Sequence, residues 1–186
     1  EEACEKLMYA LVLSGLAMQM TGNSRPASGA EHHLVHLWDM EVVNGHLDAL
    51  HGEKVSAGTM LVLLEYKKIA DAIRKGNCKV HTCTEEDREL LQSTFGKKGI
   101  LGAIEKENTP ELLDDVSTKE LSDTLPGILK IIDALPAVTD MQEMMNTAGC
   151  VSRVRDIGLP GKAIEESLRL APYTRRRLSL LRLRKM

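Results

Sequence analysis

Aromatic residues are scarce in this 186-residue chain: only Tyr9, Trp38, Tyr66, Phe95 and Tyr173 are present. So few rings exclude the stacking platforms on which single-stranded nucleic acids and flat cofactors usually rest. An excess of positive charge is also lacking, since the formal net charge is −3, and with it goes the electrostatic reason to expect a nucleic-acid partner. Long apolar runs are missing too. The most apolar stretch, Leu7–Met20, is too short to cross a bilayer and is interrupted by Ser14, Gly15 and Gln19. Glu1, Glu2 and Glu5 stand where a signal peptide would be basic, so neither membrane insertion nor secretion is expected. The four cysteines, Cys4, Cys78, Cys83 and Cys150, are too dispersed for a disulfide framework and read as reduced thiols of a cytoplasmic protein. No segment alternates apolar and polar residues in the manner of a half-buried strand.

What is present favours helices. Hydrophobic residues make up 43% of the chain and charged residues 27%, an ordinary globular balance with enough length for one real core. Glu2–Thr21 is apolar around most of its circumference, which predicts a central, buried helix ended by Gly22 and Pro26. Ser28 with Glu31 three residues later has the spacing of a capping box and predicts a second helix to about Val43, followed by a turn at Asn44–Gly45. A third helix is expected from near His51 through Lys75, and a fourth over Glu85–Thr94. Phe95–Ile104 reads as irregular, with Gly96–Gly99 as a loop and Cys78–Cys83 as another. Pro110 suits the first turn of a helix over Glu111–Val116. Ser117 and Glu120 form a second capping pattern, leading to a helix toward Ala134 that Pro126 should kink or divide. Met141–Thr147, Gly161–Leu170 and a basic amphipathic tail, Thr174–Met186, complete an all-α domain of about eight helices. With no repeat and no linker, residues 1–186 read as one domain.

Five of the six histidines fall between positions 32 and 51. His32 and His36 are four residues apart, so both imidazoles project from one face of the second helix. Such a pair suits a borderline divalent ion of the zinc, nickel or iron kind. Asp39 lies three residues further on that face, either as a ligand or as the carboxylate that orients a ligating imidazole. Antiparallel packing of the second and third helices would bring His51 alongside. His33 and His46 read as surface bystanders. Just upstream, Asn23, Ser24, Arg25 and Ser28 precede a helix N-terminus, where backbone N–H groups and the helix dipole favour an anion. Arg25 adds a planar fork that matches phosphate.

The run GNSRPASGAEHHLVH, followed by HGEKVSAGT, resembles the glycerol-1-phosphate dehydrogenases of the iron-containing alcohol dehydrogenase superfamily, which also holds glycerol dehydrogenases and dehydroquinate synthases. The resemblance is strongest over residues 5–66. It implies the C-terminal helical domain of the dehydroquinate synthase-like fold, with His32 and His51 as metal ligands and His36 beside the metal, available for proton transfer. It implies also the interconversion of dihydroxyacetone phosphate and sn-glycerol-1-phosphate with NAD(H) or NADP(H), a step toward phospholipid headgroup precursors. The family's third ligand is an upstream aspartate, and its pyrophosphate-binding segment is glycine-rich. This chain begins after that aspartate and contains no Gly-Gly pair. The nucleotide-binding domain is therefore expected to be absent from this chain and the chain alone to be inactive. The apolar helix surfaces suggest cover by that missing domain or by a second subunit in a homo-oligomer. Two other readings are a sister activity, glycerol dehydrogenase or dehydroquinate synthase, and a non-catalytic metal-binding or assembly module.

Overall fold

The computed structural model describes residues 1–78, 85–113 and 116–183. Among them are eight α-helices and no strand: α1 (Glu2–Thr21), α2 (Ala30–Asp39), α3 (His51–Arg74), α4 (Glu85–Phe95), α5 (Leu101–Glu107), α6 (Thr118–Asp133), α7 (Val138–Thr147) and α8 (Ala163–Leu170). The all-α expectation is met. None of these helices is long and apolar enough to cross a membrane.

α2 and α3 pack side by side at the centre, with α6 and α7 against α3 and α8 against α2. The core they share includes Leu34, Val35, Leu37 and Trp38 from α2, Ala57 and Leu61 from α3, Phe95, and Leu168 and Leu170 from α8. Burying each large apolar side chain contributes about 1.5–3 kcal/mol. The one polar atom of Trp38 is satisfied inside the core: its Nε1 donates to Ser167 Oγ at 2.9 Å, and that hydroxyl donates to the Ala163 carbonyl at 2.6 Å. α3 can lie close to α2 because residue 58 is glycine. A Cβ at Gly58 would stand 3.3 Å from the Glu31 carbonyl oxygen.

Several expectations are corrected. α1 has the expected limits, ended by Gly22 in the left-handed conformation (φ 65°), yet none of its residues is buried. Leu7 is 60% and Met20 87% exposed. Its main contact is the single 3-10 turn Arg25–Ala27. α2 is shorter than expected and stops at Asp39, where Glu41 adopts a positive φ of 53°. Ser28 does not cap it; Gly29 is the cap, and Glu31 Oε1 accepts from the Gly29 amide at 2.7 Å. Residues expected to be irregular contain α5, whereas 111–113 form no helix. The helix expected over Thr174–Met186 is replaced by a turn and a short 3-10 segment, Leu180–Leu183. Consecutive arginines there are drawn to separate partners: Arg176 to Glu107 and Pro110, Arg177 to Ser24 and Ser28. α6 carries Pro126 without a break, and its Ser117–Glu120 capping box forms as expected. The Cys78–Cys83 loop lies mostly outside the described residues, as does the end of the tail.

Candidate functional site

The histidines meet where α2 runs past the start of α3. His32 and His51 face each other with ring centroids 5.6 Å apart and planes tilted by 55°. They are 19 positions apart in sequence, and the turn between α2 and α3 is what makes them neighbours. His51 is the first residue of α3, and the turn is fixed there by the Leu50 amide, which donates to Glu53 Oε2 at 2.7 Å. His32 is oriented by its neighbour: Nδ1 lies 2.8 Å from Glu31 Oε1. That contact leaves Nε2 as the nitrogen available to an ion, the arrangement found when a carboxylate steadies a ligating imidazole. Burial tends to raise the Glu31 carboxyl. Hydrogen bonds with His32, with the Gly29 amide and with its own backbone amide outweigh this and hold it below the usual value.

His36, one turn along α2, is half-buried. Its pKa is lowered, first by burial and then by Arg175 and His32, with Asp39 pulling the other way and His51 adding to the lowering. A lowered imidazole pKa means a neutral ring at pH 7, able to accept a proton. Asp39 is engaged elsewhere: Lys54 Nζ on α3 donates to its Oδ1 at 2.8 Å. The carboxylate held against a site imidazole is thus that of Glu31. Among the described residues no three histidine, cysteine, aspartate or glutamate side chains converge as a metal-binding group. The donor chemistry fits a two-imidazole share of a metal site, with further ligands to come from outside these residues.

The turn before α2 is built around its own hydrogen bonds. Asn23 Oδ1 accepts from the Arg25 amide at 2.9 Å, and Asn23 Nδ2 donates to the Thr21 carbonyl at 2.8 Å. Arg177 reaches in from the C-terminal segment and donates to the Ser28 carbonyl at 3.1 Å and to Ser24 Oγ at 2.9 Å. Next to this brace is a pocket of about 320 Å³ lined by Arg25, Ser28, Gly29, His33, Arg177 and Ser179, among others. His33 is not the surface bystander expected. It is 2% exposed, and burial, reinforced by Arg177, lowers its pKa to about 4. His46 is exposed and pairs with Glu41. In the sequence Glu31 stood out only as a capping residue and His33 only as a bystander. Arg177 had no local signal at all, being 149 residues from Ser28.

No protein-family model matches the chain. No solved structure matches it either. Curated relatives do. A glycerol-1-phosphate dehydrogenase (NAD(P)+) of Halalkalibacterium halodurans is 33% identical over 182 residues, covering 97% of this chain and 37% of that protein. The enzyme of the same name from Geobacillus stearothermophilus is 27% identical over 172 residues, covering 92% of this chain and 35% of its own. That from Pyrococcus horikoshii is 41% identical over a shorter stretch of 78 residues, covering 40% of this chain and 22% of its own. The chain spans little more than a third of the length of the first two.

Proposed function

Proceeding from the kinship of this chain, over nearly its whole length, with part of the glycerol-1-phosphate dehydrogenases, we propose that it forms the metal- and substrate-binding part of an NAD(P)-dependent enzyme interconverting dihydroxyacetone phosphate and sn-glycerol-1-phosphate. The observation that carries this reading is the convergence of His32 and His51, with Glu31 behind His32. A zinc, nickel or iron ion bound there supplies polarisation of the substrate carbonyl, and the nicotinamide of a separate nucleotide-binding domain supplies hydride. Side chains of this chain take the other parts, apart from the further metal ligands. His32 and His51 would hold the ion, and Glu31 keeps the His32 ring turned for that task. Arg25, with Asn23, Ser24 and Ser28 shaping its turn, binds the phosphate end and so selects a phosphorylated triol. His36, neutral at pH 7, takes the hydroxyl proton when glycerol-1-phosphate is oxidised and returns one, directly or through water, when the ketone is reduced. Asp39, tied to Lys54, positions α2 against α3 unless a metal draws it away.

The chain alone is expected to bind divalent metal but to show no nicotinamide-dependent turnover. Turnover should appear in a chimera joining it to the part of the Halalkalibacterium relative that it does not match. That chimera should reduce dihydroxyacetone phosphate and leave dihydroxyacetone nearly untouched. Equal rates on the two ketones would point instead to a sister activity. A folded, metal- and NADH-binding chimera without activity on either would leave the chain a metal-binding module.

A further inference from the structure

The pocket beside the Arg177 brace holds polar groups that the fold itself does not use. Both ring nitrogens of His33 and the hydroxyl of Ser179 are buried, and they find no hydrogen-bond partner among the described residues. Leaving a buried polar group unpaired costs about 1–3 kcal/mol, so such groups in a lined pocket point to something that pairs with them there. The rest of the lining tells what kind. Arg25 and Arg177 flank the pocket, Gly29 and Ala30 bring the start of α2 to it, and none of the described lining residues is a carboxylate. Two guanidinium groups and two unused donors form an anion seat, while the Gly29 amide at the start of α2 already serves Glu31. Whichever tautomer His33 adopts, its ring offers one N–H. Of the five N–H donors of Arg177, the brace occupies two. A volume of about 320 Å³ has ample room for a phosphate group.

We propose that this pocket is a phosphate-monoester site in which His33 and Ser179 are the inner donors and Arg25 and Arg177 the flanking cations. Asn23 and Ser24 shape the entrance without being its principal contacts, because their side chains already serve the turn. Only the identity of the anion, the phosphate end of a triose substrate, rests on the proposed function. His33 follows His32 on α2 and so points about 100° around the helix from it, which would place phosphate and metal on adjacent faces of the same turn.

The test is calorimetric titration of inorganic phosphate into the metal-free chain, the His33→Leu variant and the Ser179→Ala variant. Saturable binding is expected, weakened about tenfold or more by each substitution, the usual effect of removing a hydrogen bond to a charged group. Circular dichroism checks the variants, and if His33→Leu fails to fold then Ser179→Ala alone decides. Absence of saturable binding by the unsubstituted chain, or equal affinities in the folded variants, would overturn the site. Glycerol-1-phosphate titrated with and without zinc separates the two sources of phosphate. Tighter binding with zinc identifies the substrate's phosphate. Equal affinity keeps the pocket as a free-phosphate site and contradicts the proposed function instead.

Discussion

At the scale of single residues, most of the chemistry hangs on side chains that are close in sequence yet differ in environment. His32, His33 and His36 lie on one helix, and their surroundings divide their roles. His32 is steadied by a carboxylate, His36 is half-buried among positive neighbours, and His33 is enclosed. Enclosure has a consequence for stability. With a folded pKa near 4 against 6.5 when free, His33 is neutral in both states above pH 6.5 and adds no pH dependence there. As pH falls from 6.5 toward 4 the unfolded chain takes up a proton that the folded chain refuses, so stability declines, levelling off below about 4. Urea denaturation of the metal-free protein should show this loss, at most about 3 kcal/mol from the size of the shift. His33→Leu should lose less over the same interval, and identical pH profiles would show that His33 is not excluded from protonation. The meeting of His32 with His51 was legible in the sequence through the family resemblance and the expected antiparallel packing of α2 and α3, and the two rings do lie together. The burial of His33 was not, since it depends on Arg177 and Ser179 folding back from the far end of the chain.

At the scale of elements, the closeness of α2 and α3 decides whether the imidazoles meet. Gly58 sets that distance. Gly58→Ala would gain about 1 kcal/mol in helix propensity, but its methyl group would press on the Glu31 backbone at 3.3 Å, and overpacking against backbone costs about 1–3 kcal/mol. A net destabilisation of about 1 kcal/mol is expected in a thermal melt, together with weaker metal binding, because Glu31 and His32 are displaced together. A more stable variant with unchanged metal affinity would mean that the two helices can separate freely. α1 presents the opposite case. Its boundaries followed from local signals, apolar periodicity up to Gly22, whereas its burial was misjudged because burial needs a partner and none of the described elements covers it. Helices without packing are marginal in water. Hydrogen exchange should therefore run faster in α1 than in α3, whose residues Ala57–Leu63 are nearly all buried. Comparable protection would show that α1 is covered in solution. The tail failed as a helix for a related reason: its arginines do more for the fold as separate braces than as one amphipathic face.

At the scale of the whole molecule, the chain is a helical body that brings two imidazoles together, the proposed share of a metal site, and its relatives are much longer. Asp39, the nearby carboxylate considered as a further ligand, is engaged with Lys54. An ion held by two histidines alone should bind more weakly than in a three-ligand site, but still selectively and through those two rings. The most direct test is a zinc titration of the chain and of its His32→Ala and His51→Ala variants at neutral pH. One equivalent of zinc should bind the unsubstituted chain, and each substitution should reduce affinity by at least about tenfold, an effect of the size seen when groups around a metal are lost. Zinc binding that survives both substitutions unchanged, or no binding by the unsubstituted chain, would contradict the claim that His32 and His51 form a metal site.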